Sequence, residues 1–356
     1  MTHYDLSKHI TMDRLMTTSS IAPTGYILRP PTLDDAPGVL AVMNANAQNA
    51  IGQNDDNDLS DLLMAWQSSQ ADRTINHCIL VDADGRVVGY CELDDSQPSL
   101  PMLDLYVHPD EDRQGLGQIL YTWAEQRAQE AILRAPEGAR VALRSFMYEQ
   151  EAWYHELLEN RGMTCIRHSY RMEIRFDGPL TQPVVPNGFR LRLADPQHEQ
   201  AAIYRTYCDT FRDHFGFVEE SFETGFAHWE QSWQKFQPID PMWWIVAETA
   251  DGQIAGICLC KPYYPAQPDM GWVATLGVYR EYRRAGLGIA LLRQAFVTFQ
   301  QMGWASVGLG VDASSLTGAT RLYERAGMQV ALRYDLYEKE LRDGIEITVT
   351  DLEQDG

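Results

Sequence analysis

Arg283-Arg284-Ala285-Gly286-Leu287-Gly288 follows an apolar stretch, Val273 to Val278, and leads directly into a helical pattern. A strand, a Gly-x-Gly turn and a helix in that order suggest an anion site. The first turn of a helix carries unpaired N–H groups and a positive dipole end, and glycine lets a ligand approach the backbone closely. Two phosphate-binding patterns fail. The Walker pattern needs Lys followed by Ser or Thr after its last glycine, and here Ile289-Ala290 follow Gly288. The dinucleotide fingerprint needs a third Gly or Ala, but Leu291 stands there, and Leu120 in an earlier, similar stretch. The pattern R-x-x-G-x-G is matched in full by Arg283 to Gly288. A tight β-to-α turn with no ligand is the bland reading of the same residues. Two further side chains stand where chemistry is possible. Asp312 closes an apolar run, Ser306 to Val311, and Tyr323 lies in Leu322-Tyr323-Glu324-Arg325. A tyrosine of ordinary pKa, about 10, is protonated at neutral pH and can donate to a leaving thiolate.

The elements that position these residues occur twice. Tyr26-Ile-Leu-Arg29 is matched by Phe189-Arg-Leu-Arg192, and Asp84-Gly-Arg-Val-Val-Gly89 by Asp251-Gly-Gln-Ile-Ala-Gly256. Arg113-Gln-Gly-Leu-Gly117 is matched by Arg284-Ala-Gly-Leu-Gly288, and Leu158-Glu-Asn-Arg-Gly-Met163 by Tyr323-Glu-Arg-Ala-Gly-Met328. The offsets run from 163 to 171 residues, far longer than a solenoid repeat, so a whole domain is duplicated. Pro179, Pro183 and Pro186 between Gly178 and Gly188 mark an extended linker. Each half reads as a short strand, a helical stretch, a hairpin turning at Asp-Gly, an apolar strand, the glycine turn, a helix, a strand, a helix and a closing strand pair. Leu292, Ala295, Phe296, Phe299 and Met302 keep the spacing of one apolar helix face. The fold class is α+β.

With these motifs in order, the chain resembles the GNAT superfamily of acyl-CoA-dependent N-acetyltransferases. The resemblance covers nearly the whole chain as two tandem copies, each a mixed, mostly antiparallel sheet flanked by helices, and the arrangement is similar to mycothiol synthase-like two-domain members. It rests on Ala274-Thr-Leu-Gly-Val278, the loop Arg283 to Gly288, and Ala319-Thr-Arg-Leu-Tyr323-Glu-Arg-Ala-Gly-Met328. It implies acetyl-CoA as co-substrate. The amides of Arg283, Arg284, Ala285, Gly286, Leu287, Gly288 and Ile289 would cradle the pyrophosphate, and Leu276, Gly277 and Val278 would bond the pantetheine arm, one N–H polarising the thioester carbonyl. Tyr323 fills the position of the family's acid, and packing alone is its other reading. Asp312 is the candidate general base, or a helix cap. Glu248 and Asp269 are weaker candidates for the base. Ser315 falls where the family often has Asn. The boundaries expected are an extension over 1–24, a degenerate N-terminal domain over 25–177, a linker over 178–188, a catalytic C-terminal domain over 189–342 and a loose acidic tail over 343–356.

Charge separates the copies. Arg280, Glu281, Arg283 and Arg284 carry a net +2 before Gly286, whereas Asp110, Glu111, Asp112 and Arg113 carry −2 before Gly115. At about 1 kcal/mol per close pair in water, that swing disfavours a polyanion at the first loop. The first copy also has Leu158 where the second has Tyr323. Asp209-Thr-Phe-Arg-Asp-His214-Phe-Gly-Phe217, with Glu219, Glu220, Glu223 and Trp229 beyond, suits the pocket of an amine with an apolar body, or equally a solvated acidic helix over an aromatic core. His214 reads as a structural hydrogen-bonder, and Trp243-Trp244 as core.

The chain has 356 residues, a net charge of −21 and 45% hydrophobic residues, which fits two globular domains. The acidity argues against nucleic-acid and membrane-surface roles. Six scattered cysteines without a C-x-x-C pair and an N-terminus without an apolar signal core point to the cytoplasm. No metal-ligand spacing is present. The function expected is acetyl transfer to a primary amine of a small molecule, chemistry in the C-terminal domain. A non-catalytic acyl-CoA-binding or regulatory protein and an acetyltransferase of protein N-termini or lysines are the alternatives. The oligomeric state is not legible.

Overall fold

A computed structural model describes residues 25–54, 57–67, 73–217, 220–264, 267–314 and 318–349. The expected 1–24 extension, residues 350–356 of the tail, Glu219 and Ser315 lie outside them. In chain order the elements are β1 (Ile27–Arg29), α1 (Ala36–Ile51), α2 (Leu59–Gln67), α3 (Arg73–Asn76), β2 (His77–Val81), β3 (Val87–Asp94), β4 (Met102–Val107), α4 (Arg113–Ile132), β5 (Val141–Tyr148) and α5 (Ala152–Asn160). They continue with β6 (Thr164–Arg175), β7 (Phe189–Leu193), α6 (Gln200–Phe211), α7 (Phe222–Ser232), β8 (Trp244–Thr249), β9 (Ile254–Lys261), β10 (Met270–Val278), α8 (Leu287–Gln301), β11 (Ser306–Asp312), α9 (Ala319–Arg325) and β12 (Gln329–Arg342). Mixed sheets flanked by helices establish the α+β class, and the two halves repeat one element order.

The chain forms two compact units. The first comprises Met1–Ala135, Ala142–Ser145 and Ala152–Gly162, the second Pro136–Val141, Phe146–Glu151 and Met163–Gly356. In the first, β1 to β4 form an antiparallel meander, and β4 meets β5 in parallel at Met102 and Arg144. Val39, Val42 and Met43 of α1 pack on Ile79, Val81 and Tyr90. On α4, Leu116, Leu120, Ala124 and Ala128 are buried at the i, i+4 spacing of a helix lying on a sheet.

In the second unit the strands lie in the order β12-β6-β11-β10-β9-β8-β7. Strand β6 ends the first sequence repeat, yet it sits between β11 and β12, antiparallel to both. Its Met172 is fully buried in the core of this unit. The chain must then travel from β6 to β7 at the far edge, five strand positions away. At about 4.8 Å per strand that is roughly 24 Å, within reach of an extended linker. The linker follows α8. The Leu180 N–H donates to Gln300 Oε1 at 2.7 Å and Gln300 Nε2 to the Gly178 carbonyl, also at 2.7 Å. Further along, Pro186 lies beside Gly286 at the start of the same helix.

The core of this unit is strongly aromatic. Trp244 is fully buried, its ring 5.5 Å from Trp229 and 5.2 Å from Trp233. Leu292, Ala295, Phe296 and Phe299 form the buried face of α8 as the spacing predicts. Met302 departs from it: the helix ends at Gln301, and Met302 is 46% exposed. The expected loose tail is tied down over its described part. Ile345 exchanges backbone hydrogen bonds with Gly138 and Arg140, and Val349 with Gly216 and Phe217.

Gly271 on β10 shows how tightly α8 is seated, since a Cβ there would stand 2.2 Å from the Phe299 ring. Gly271→Ala is expected to lower stability by about 1–3 kcal/mol through overpacking. A urea titration showing a reduced midpoint with an unchanged slope checks it, and an unchanged midpoint refutes it.

Candidate active site

The site begins where two parallel strands part. Strand β10 pairs with β11 only from Met270 to Val273, against Ser306 to Leu309, whereas its ladder with β9 continues to Val278. The β9 register shifts between Val273 and Thr275, and a bulge there turns the strand. From Thr275 onward one edge of β10 therefore diverges from β11 and offers backbone groups to a ligand. Leu276, Gly277 and Val278 lie on this stretch. Gly277 is required by a close approach: a Cβ would stand 2.3 Å from Thr210 Oγ1 and 3.4 Å from the Phe211 ring, so the end of α6 rests on the strand.

Val278 leads through a 3-10 turn, Arg280–Tyr282, into the glycine loop. Arg284 has a φ of 66°, the only positive value at a non-glycine among the described residues, and Gly286 follows at 89°. A residue held in this region costs of order 1–3 kcal/mol, a strain found at ligand clamps. The Ala290 N–H closes the first helical bond, to Gly286 O, so the amides of Leu287, Gly288 and Ile289 have no acceptor within α8. Leu287 is buried and anchors the helix, while Arg284, Ala285 and Gly286 are exposed. Leu322 of α9 packs against Gly288, 3.1 Å from where a Cβ would be. These residues fit the pyrophosphate of a coenzyme A thioester: backbone amides supply the donors, and the loop leaves them room.

Arg283 does something other than reach outward. Its guanidinium donates to the Val278 carbonyl at 3.0 Å and to the Thr210 carbonyl at 3.2 Å, and it lies 3.6 Å from Asp213. The side chain braces loop, strand and α6 together, which leaves its backbone for the ligand. Arg280 pairs with the same Asp213 at 2.7 Å.

In the first unit β4 and β5 pair at Met102 and Arg144, and the helix start that follows is capped by a side chain. Helix α4 begins at Arg113, earlier relative to its glycines than α8, and the Gly115 N–H donates to Asp112 Oδ1 at 3.1 Å. A Cβ on Gly115 would be 2.3 Å from Asp112 Oδ2. The carboxylate whose charge is visible in the sequence thus sits directly on an amide of the helix start.

Tyr323 is buried in the core of the second unit. Burial, with a smaller contribution from Cys258, pushes its phenol above the usual range. Asp312, at the end of β11, is held by Arg167, whose Nε lies 3.0 Å from both carboxylate oxygens and whose second nitrogen lies 2.7 Å from Oδ2. Asp312 Oδ1 also accepts the Ser314 N–H at 3.0 Å, the local bond of a turn. These bonds tie the carboxylate to β6 and to its own turn. No contact between Tyr323 and Asp312 is seen among the described residues. Glu248 is buried against Arg190 at 2.5 Å and Arg192 at 3.4 Å, a structural arrangement, and Asp269 is exposed. In the 209–229 segment, Trp229 joins the core and Asp213 holds the two loop arginines.

His214 is the residue whose place the sequence did not reveal. Its ring lies 4.3 Å from that of Phe211. Burial first, then Arg283, hold its pKa below the usual histidine value, against the opposing pull of Asp213 and Asp312. Elsewhere in the unit, ligand atoms of Cys165, His168 and Asp335 come within 4.8 Å of one another. Arg333 already supplies a cation there, 2.9 Å from Asp335 and 3.0 Å from His168.

Parallel strands that part at a bulge, a strained loop and an open helix start define an acyl-CoA-dependent N-acetyltransferase. The Acetyltransferase (GNAT) family profile matches residues 44–143 and 201–328, and the chain belongs to this family as a tandem, two-domain member. It is 29% identical over 307 residues to the Mycothiol acetyltransferase of Thermobispora bispora, covering 83% of this chain and 93% of that one. It is 28% identical over 258 residues to that of Salinispora arenicola, covering 71% and 78%. Among solved structures, a GCN5-related N-acetyltransferase from Sphaerobacter thermophilus aligns with a TM-score of 0.78 at 31% identity, covering 92% of this chain and 99% of that one. A tandem GNAT protein from the clavulanic acid biosynthesis pathway shares the fold, with a TM-score of 0.66 at 16% identity over 90% of this chain and 99% of that one. GNAT acetyltransferases use acetyl-CoA as co-substrate, and no helix among the described residues is long and apolar enough to cross a membrane.

The Asp112 carboxylate acts as a helix cap. Asp112→Ala is expected to cost about 1 kcal/mol. Native-state hydrogen exchange of buried first-unit amides on α4, such as Leu120, measures it in the otherwise unaltered chain, and unchanged exchange means the cap contributes nothing.

Proposed function

We propose that the chain transfers the acetyl group of acetyl-CoA to a primary amine of a small molecule, as a cytoplasmic enzyme. The catalytic copy is 189–342, its sheet completed by β6, and 25–177 is a degenerate copy joined through 178–188. One observation carries the assignment of the active half: the helix start after Gly286 leaves its amides open, whereas the start at Gly115 is stoppered by Asp112. The naming of two relatives as mycothiol acetyltransferases supports a small molecule as acceptor.

In this reading the amides of Arg283 to Ile289 hold the pyrophosphate, with the exposed Arg284 able to face it; Ser315, the remaining candidate contact, lies outside the described residues. Leu276 to Val278 bind the pantetheine arm, and one amide of the strand polarises the thioester carbonyl. Tyr323 lies buried on α9, beside the Leu322 that packs against Gly288. Its raised pKa keeps the phenol protonated, so it stabilises the departing sulfur as a hydrogen-bond donor; giving the proton away outright would be uphill against a thiolate of pKa about 8.5. Asp312 orients Arg167 and the turn through Ser314, and serves as a positioning residue.

Calorimetry with acetyl-CoA is expected to show one site per chain, lost in Gly286→Glu. Two sites, or binding that survives the substitution, overturn the assignment. Tyr323→Phe is expected to lower turnover of an accepted amine about tenfold or more while acetyl-CoA affinity holds. Unchanged turnover, followed by thiol release, removes Tyr323 from the reaction.

A further inference from the structure

Asp312 is engaged by Arg167 and by its own turn, and the short segment after α6 carries an imidazole between two aromatic anchors. Phe211 anchors one end of this segment: its ring lies 3.4 Å from where a Gly277 Cβ would stand, on the parting stretch of β10. Phe215 anchors the other, beneath the Arg167 guanidinium at 4.2 Å, and Arg167 holds Asp312 at the end of β11. His214 lies between the two anchors. Backbone bonds fix it there. The His214 N–H donates to Phe211 O at 2.8 Å, the Phe217 N–H to His214 O at 3.1 Å, and Gly216 and Phe217 are strapped to Val349 at 2.8 and 3.2 Å.

We propose that His214 is the general base of the transfer, a reading that rests on the acetyltransferase function above. The nitrogen lone pair of the neutral amine forms the new N–C bond at the thioester carbonyl, and the C–S electron pair leaves with sulfur. The proton made acidic on nitrogen passes to the imidazole, directly or through one water. The imidazolium returns it to bulk water, from which the thiolate takes one. Arg283 from the glycine loop and burial keep the imidazole neutral at pH 7, while Asp312 from β11 and Asp213 from its own segment limit that effect. Arg167 and Arg280, which pair with those two carboxylates, moderate their pull.

With an amine that the wild-type chain acetylates, His214→Gln is expected to lower kcat/KM about 100-fold or more. Acetyl-CoA affinity by calorimetry is expected to hold. The acidic limb of the kcat/KM profile, which in the wild type lies below the ordinary histidine range, is expected to disappear. His214→Ala is expected to regain activity with added imidazole, which a purely structural role would not allow. Wild-type kcat/KM with an unchanged acidic limb overturns the proposal, as does loss of acetyl-CoA binding in the glutamine variant. Imidazole resonances give a readout independent of any amine. The signal missing from His214→Gln is expected to shift when acetyl-CoA is added to the wild-type chain, and an unmoved signal overturns the proposal. A signal that moves in a chain that acetylates no amine sinks the transfer reading instead, with His214 still at the thioester.

Discussion

The start of α8 leaves the amides of Leu287, Gly288 and Ile289 without a helical partner, and what may sit against them is the constraint around which the second unit is arranged. A helix always begins with unsatisfied donors, and they are met by a side chain, by water or by a ligand. In α4 the chain meets them itself, with Asp112 folded back on the Gly115 amide. In α8 the turn is drawn out by two positive φ angles, Arg284 and Gly286, and no side chain is seen to cap it among the described residues. The strain of a non-glycine residue in the left-handed region is tolerated because Arg283 ties the loop to β10 and α6 by two carbonyls. Two copies of one sequence pattern have thus reached opposite ends of one physical choice.

Around that helix start the structure is built to stay open on one side. The bulge near Ala274 turns β10 away from β11, and Gly277 admits α6 to the strand at a distance no side chain would allow. The aromatic floor formed by Trp229, Trp233 and Trp244 makes β8 and β9 rigid beneath it. Rigidity on three sides lets the fourth present backbone groups without collapsing.

Much of this was legible in the residues because it is local. The Arg283 to Gly288 pattern located the loop, the charge difference before Gly115 marked the helix start that Asp112 caps, and the repeat offset revealed the duplication. Other features are set by partners far away in the chain. Asp312 reads as a free carboxylate until Arg167, 145 residues earlier, is seen gripping it. His214 looks like any loop histidine until Phe211 and Phe215 fix its ends. Met302 fits the helical spacing but falls one residue past the helix, because spacing marks a face and not a stop. The partner of β6 was illegible for a related reason: alternation along a strand assigns faces, and both edges of β6 can pair with any strand that offers the right register.

That placement of β6 bears on how such a chain could have come apart or been assembled. The proline-rich stretch at 178–188 is the obvious seam, but the strand before it is the middle of the second unit's sheet, hydrogen-bonded on both edges. Severing the gene at the seam would strip the C-terminal half of an inner strand and leave β11 and β12 with bare edges, an invitation to aggregate. The covalent frontier between the repeats and the mechanical one are different places. A fragment meant to stand alone would have to start before Thr164, and its inheritance as one piece with its predecessor is enforced by hydrogen bonds rather than by the linker.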